Sequence, residues 1–219
     1  MIMRFRTIAF DLDGTLVDTL PDLAQALNHT LCSIGRRTLA DMEVRDLIGH
    51  GTRAMLRAGL AATGDSDQPL VDDCYPILMR HYEAHLCDLS TPYPGVEQAL
   101  DLLTRGGAKL AICTNKPEQT SRDLVNALGW RDRFSVIVGG DTLPVTKPDP
   151  KPLWHAVALA GGDPAVFVGD SIVDIRTARA ASLPCVAVSH GYSDRPIDTF
   201  GADAMIDRFD ALIAALEHL

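Results

Sequence analysis

The stretch "TIAFDLDGTLVDT", Thr7 to Thr19, decides the fold: a short apolar run, Thr7 to Phe10, opens directly onto Asp11, Asp13 and then Asp18. Buried strands of parallel sheets read as continuous apolar runs, and open α/β sheets bind ligands just beyond the carboxyl ends of such strands. Four more runs of this kind follow: "AKLAIC" before Thr114, "FSVIV" before Gly139, "AVFV" before Gly169 and "CVAV" before Ser189. Their alternation with helical patterns predicts βαβ units and an α/β core built on a Rossmann-like parallel sheet. One helix carries clear end signals. Asp149 can cap and Pro150 can fill the first turn of "PDPKPLWHAVALAGG", which closes on Gly161 and Gly162.

Between Asp18 and Leu89 the strand-like runs stop. In "PDLAQALNHTLCSIG" the residues Leu23, Leu27, Leu31 and Ile34 share one helical face, and "GTRAMLRAGLAATG" and "DDCYPILMRHYEAHL" read as further helices. The pattern predicts an all-helical cap, residues 18–89, inserted after the first strand, with the core formed by residues 1–17 and 90–219. "LSTPYPG", with Pro92 and Pro94, is the return linker, and Asp18 is read as the entry to the cap, capping the helix that begins near Pro21.

A chain of 219 residues with 47% apolar content can bury a core of this size. Its formal charge of −9 argues against a nucleic-acid surface. No apolar run is long enough to span a bilayer, and the start "MIMRFRTIAFD" is interrupted by Arg4 and Arg6, unlike a signal peptide. The five cysteines form no C-x-x-C pair, which fits a reducing cytoplasm. No nucleic-acid or membrane partner is expected, and the chain is read as a monomer or homodimer.

The strand ends assemble a coherent set of side chains. The first gives Asp11 and Asp13; the second Thr114, Asn115 and Lys116; the third is followed by Lys147; the fourth gives Asp170 and Asp174 from "GDSIVD". Like charges about 4 Å apart repel by roughly 4 kcal/mol at an effective dielectric of 20, so gathering these carboxylates calls for a cation. Oxygen donors without nearby Cys or His favour Mg²⁺ over zinc. Lys147 supplies a point charge and Thr114 a hydroxyl suited to phosphate oxygens.

These motifs, "DLDGT" at Asp11, "TN" at Thr114, Lys147 and "GDSIVD" at Gly169, occur in the order of the haloacid dehalogenase superfamily, which the chain resembles over its whole length. The resemblance implies that Asp11 is a nucleophile forming an aspartyl-phosphate. It implies that Asp13 protonates the leaving oxygen and then activates water. Asp11, the Asp13 carbonyl and Asp170 would hold Mg²⁺, with Asp174 supporting through water. Relatives that cleave carbon–halogen or carbon–phosphorus bonds lack the acid corresponding to Asp13, so its presence favours phosphate esters, with a phosphomutase as the alternative. The cap segment "LIGHGTRAML", with "TNKP", "VIVGGD" and "KPDPKPL", resembles the phosphoglycolate phosphatase branch. Its glycines leave backbone exposed at a helix start, where an anion can sit. That branch acts on a small phosphate ester carrying a carboxylate, so the resemblance implies a small phosphorylated metabolite as partner; Gly49, His50, Gly51, Arg53, Asn115 and Lys116 are accordingly the candidates for binding it, with His50, Arg53 and Lys116 for its carboxylate. A pyrophosphatase, a sugar-phosphate phosphatase and a non-catalytic phosphate-binding module are the other readings. "HYEAH" sets His81 and His85 one helical turn apart, a zinc-compatible spacing without an evident third ligand, and reads as a solvated helix face.

Overall fold

The computed structural model describes residues 4–192 and 197–219. In chain order it contains β1 (Thr7–Phe10), β2 (Val17–Asp18), α1 (Leu20–Ser33), α2 (Asp41–Arg45), α3 (Thr52–Thr63), α4 (Gln68–Ala84) and β3 (Thr91–Pro92). There follow α5 (Val96–Arg105), β4 (Lys109–Cys113), α6 (Glu118–Ala127), β5 (Val136–Val138), α7 (Lys151–Ala160), β6 (Ala165–Gly169), α8 (Ile172–Ala181), β7 (Cys185–Val188), β8 (Ala204–Ile206) and α9 (Leu212–His218). Two compact units result, Met1–Asp18 with Pro92–Leu219, and Thr19–Thr91.

The first unit is built on a six-stranded sheet of order β5-β4-β1-β6-β7-β8 in which every described pairing is parallel. The chain starts in the middle, moves outward through β4 and β5, then crosses back to β6. The order therefore reverses between β1 and β6, the position at which doubly wound folds open a crevice. Register is tight there, with Phe10 level with Ile112 on one side and Val168 on the other. Ala9, Ala111, Cys113, Phe167 and Cys185 pack with Leu153, Ala156 and Val157 of α7 and Ile175 and Ala178 of α8. Phe10, one residue along and so on the opposite face, meets Phe209 with ring centroids 6.4 Å apart. Coverage on both faces explains why these strands read as unbroken apolar runs rather than alternating ones.

All the expected core strands form, and β8 adds one that the sequence does not announce. Its three residues, Ala204–Ile206, lie between Asp203 and Asp207 at the sheet edge, and Met205 is exposed, so no apolar run marks it. Helix α7 begins at Lys151, one residue later than the capping signal suggests, with Pro150 as N-cap. The Asp149 carboxylate still accepts the Lys151 N–H at 2.9 Å.

The second unit is built from the helices α1 to α4. Leu23, Leu27 and Leu31 of α1 are buried, as are Met55, Leu56 and Leu60 of α3 and Val71, Leu78 and Tyr82 of α4. Gly59 lets α3 approach α1: a Cβ there would meet the Leu27 side chain at 2.8 Å. Buried Asp22 ties the ends of the unit together, accepting the Ser90 N–H at 2.8 Å, the Ser90 hydroxyl at 2.6 Å and the Leu89 N–H at 3.1 Å. The expectation for Asp18 needs correction. The N-cap of α1 is Thr19, and Asp18 is still in extended chain within β2, where its carboxylate accepts the Tyr192 hydroxyl at 2.8 Å.

Candidate active site

The residue immediately after each central strand carries the site. Asp11 follows β1 and donates its N–H to Val168 O at 2.9 Å; Thr114 follows β4 and donates to Val138 O at 3.0 Å. Main-chain bonds thus continue one residue past each strand, which fixes where both side chains leave the sheet, Asp11 at the β1/β6 crevice and Thr114 at the end of the neighbouring β4. Asp170 follows β6, and Asp174 lies in the first turn of α8.

Lys147 is the charge at the centre of this group. Its Nζ lies 2.9 Å from Asp11 Oδ2 and 2.6 Å from Asp174 Oδ1, and its side chain is almost fully buried. Burial pushes its pKa down, but Asp11 and Asp174 outweigh that and hold it protonated, above its ordinary value. The Asn115 side chain locks the lysine backbone, accepting the Lys147 N–H at 3.0 Å and donating to Lys147 O at 3.2 Å. Asn115 thereby holds the Lys147 main chain in place.

The acids are held individually. Asp11 Oδ1 accepts the Leu12 N–H at 2.7 Å. Asp170 accepts the Thr15 hydroxyl at 2.6 Å and the Tyr192 N–H at 2.8 Å. Asp174 Oδ2 accepts the Ser171 hydroxyl at 2.6 Å within a capping box that opens α8. Burial raises the Asp11 pKa to about 6, opposed by Lys147 and reinforced by Asp174. Burial, then the charges of Asp174 and Asp11, raise Asp170 to about 8. One lysine thus leaves excess negative charge, and Asp11, Asp170 and Asp174 each bring a carboxylate oxygen within 4.8 Å of the others. Buried, oxygen-only donors with raised pKa values fit a hard cation, which would stabilise their ionised forms.

Asp13 stands beside this cluster and pairs with Lys116, whose Nζ lies 3.1 Å from Oδ1 and 3.2 Å from Oδ2. The Lys116 side chain is fully buried, and its N–H reaches Thr114 Oγ1 at 3.3 Å. The lysine assigned by sequence to a substrate carboxylate is thus engaged with the proposed acid–base residue. Gly14, at φ +80°, makes the turn possible; a Cβ there would lie 2.6 Å from Asp170 Oδ2 and 2.8 Å from the Tyr192 ring. Thr15 and Ser171 were within reach of sequence reasoning, since each lies inside a quoted motif. Tyr192 was not, because its contribution to Asp170 is a main-chain N–H.

In the helical unit, Gly49 and Gly51 have φ of +110° and +88°, and Gly51 is the N-cap of α3. His50 is exposed. Arg53 is exposed too, paired with Asp72 at 2.6 Å and lying 4.1 Å above the Tyr75 ring.

A doubly wound sheet that gathers acids and a buried lysine beyond its strand ends is the setting of an α/β enzyme, and the comparisons with known proteins give its class, a phosphatase. The chain belongs to the haloacid dehalogenase-like hydrolases, whose family model matches residues 8–188. It is 44% identical over 212 residues to a phosphoglycolate phosphatase of Mesorhizobium japonicum, covering 95% of this chain and 93% of the relative. A phosphoglycolate phosphatase of Caulobacter vibrioides is 44% identical over 209 residues, covering 93% of this chain and 87% of the relative. Among solved structures, a predicted phosphoglycolate phosphatase from Haemophilus somnus superposes with a TM-score of 0.92 at 31% identity, covering 98% of this chain and 99% of that one.

Proposed function

We propose that this phosphatase hydrolyses 2-phosphoglycolate to glycolate and phosphate through an aspartyl-phosphate on Asp11, with Mg²⁺ as cofactor. The observation that carries the mechanism is the joining of Asp11, Lys147 and Asp174 by ion pairs of 2.9 and 2.6 Å at a strand end. The choice of substrate rests on the relatives.

Lys147 lies against Asp11 and so faces the phosphoryl group that Asp11 would attack, neutralising its oxygens with the Thr114 hydroxyl alongside. An Asp11 carboxylate oxygen bonds to phosphorus as the ester P–O bond breaks, and Asp13 donates its proton to the departing glycolate oxygen. Asp13, now ionised, takes a proton from water as that water attacks phosphorus, which frees phosphate and restores the Asp11 carboxylate. Lys116 holds both Asp13 oxygens and so orients that carboxyl between the two half-reactions. Asp11, Asp170 and the Asp13 carbonyl would hold the cation, Asp174 supporting it. When bound, the cation supplies charge neutralisation of the transferring phosphoryl group.

In this proposal the helical unit supplies specificity, with the Gly49–Gly51 backbone, His50 and Arg53 as recognition groups for the substrate carboxylate. We place the enzyme in the cytoplasm, a setting that suits cysteines found free at all five positions. Among the described residues no helix is long and apolar enough to cross a membrane.

A panel of phosphate esters with and without Mg²⁺ tests the proposal. Phosphoglycolate should give the highest kcat/KM. A preference for sugar phosphates or pyrophosphate would replace the substrate while leaving the site chemistry in place.

A further inference from the structure

We infer that Asp141 and Thr142, in the turn that follows β5, are positioning residues of the reaction: they clamp the Thr114–Glu118 loop and through it set Lys116 against Asp13. The inference rests on the reading of Asp13 as acid and base, and not on the choice of substrate. The segment "VIVGGD" is distinctive in the sequence, yet none of its side chains belongs to the strand-end cluster.

The loop after β4 carries Thr114, Asn115 and Lys116, so its backbone sets where three groups of the site begin. The turn after β5 grips that backbone on both sides of Pro117. The Gly140 N–H donates to Lys116 O at 2.8 Å, and the Glu118 N–H donates to Asp141 Oδ1 at 2.7 Å. Pro117 is the N-cap of α6 and supplies no side-chain cap. Asp141, 23 residues later in the chain, fills that role and places an acid at the positive end of the helix. The Thr142 hydroxyl accepts the Gly139 N–H at 2.9 Å and donates to Glu118 Oε2, while Arg122 bonds Glu118 Oε1 at 2.7 and 2.9 Å. The bond from Thr142, joined by Arg122 against the effect of burial, holds the Glu118 pKa below its ordinary value, so this clamp closes on a charged acceptor.

The two glycines bring main chain directly onto main chain. A Cβ on Gly139 would lie 2.3 Å from the Glu118 N, and one on Gly140 would lie 2.3 Å from Asn115 O. No flexible side chain stands between turn and loop, so a shift of one is passed to the other. At the far end the buried Lys116 side chain meets both Asp13 oxygens, at 3.1 and 3.2 Å. Loosening the clamp therefore misaligns the acid without touching it.

A single-turnover comparison of two esters, with enzyme in excess, tests this. 4-Nitrophenyl phosphate loses a phenolate that needs no proton, whereas an alkyl ester, phosphoglycolate or whichever ester heads the panel, loses an alkoxide that takes its proton from Asp13. Thr142→Val keeps the shape and removes the hydroxyl. It should slow first-turnover release of the alcohol by about threefold to tenfold, with release of 4-nitrophenolate changed by less than about twofold. Thr142→Ser should restore the rate. In a Lys116→Met background Thr142→Val should cost nothing further, because both changes act through the same lysine. Asp141→Ala, at an exposed position, should give the same pattern, and it replaces Thr142→Val if circular dichroism shows that variant unfolded. Equal losses with both esters, an unchanged rate in the folded variants, or a loss that adds to that of Lys116→Met overturns the inference. An equal effect of Lys116→Met on both esters would overturn the Asp13 reading, and this inference with it.

Discussion

The strand-end cluster and the Gly49–Arg53 segment, both expected to meet the same substrate, are built on opposite principles. In the core, Asp11, Lys147, Asp170 and Asp174 are buried and each is held by several partners. In the helical unit, His50 and Arg53 are exposed, and Arg53 already has Asp72 and Tyr75 as partners at the surface. The first arrangement suits chemistry, since charges fixed in a buried crevice need little reorganisation when the phosphoryl group transfers. The second suits recognition, since an exposed side chain can exchange one partner for another at small cost. Chemistry should therefore be fragile to single changes, and specificity graded.

Removal of divalent cations strikes the core hardest. Chelation should lower kcat by about a thousandfold or more, in line with the several kcal/mol a bound cation supplies to phosphoryl transfer. Asp13→Asn follows, at roughly 10²- to 10³-fold in kcat with substrate binding little altered, as expected for loss of a general acid–base group. Retention of full activity by Asp13→Asn would place the acid elsewhere. Lys116→Met should cost less, about tenfold to a hundredfold, because it only orients Asp13. Arg53→Ala should raise KM for phosphoglycolate by less than about tenfold with kcat unchanged, the pattern of lost uniform binding. A fall in kcat instead would erase the distinction between the two regions.

Stability should show the same contrast through pH. The folded-state pKa values of Asp11 and Asp170 are raised from 3.8 to about 6 and about 8. Folded protein thus binds protons more tightly than unfolded chain, and this contribution is complete below pH 4 and lost as pH rises through 6 to 8. Without divalent cation, the melting temperature should fall across that window through these two acids. Mg²⁺ should restore it, with a larger shift at pH 8 than at pH 5, where protons compete for the same oxygens. An Mg²⁺ shift independent of pH would remove the acids from the cation site.

The core was legible because its signals are local: apolar runs of strand length, each ended by a residue with chemistry to do. Nothing local marked β8, an exposed three-residue edge strand, or the main-chain N–H of Tyr192 on Asp170. Asp18 was misread because helix-start statistics say nothing about where the chain leaves its extended form; that occurs only after Asp18. Lys116 illustrates the deeper limit. Its position beside Thr114 was plain, but its pairing with Asp13, 103 residues earlier in the chain, exists only in the folded sheet.

The central claim is that Asp11 carries the phosphoryl group, and rapid acid quench of the enzyme with phosphoglycolate labelled in its phosphate tests it most directly. The label should appear on the peptide containing Asp11, be released by hydroxylamine, and be absent from folded Asp11→Asn, which should also lose turnover. Phosphate released without protein-bound label, or label and turnover surviving in Asp11→Asn, would contradict the account.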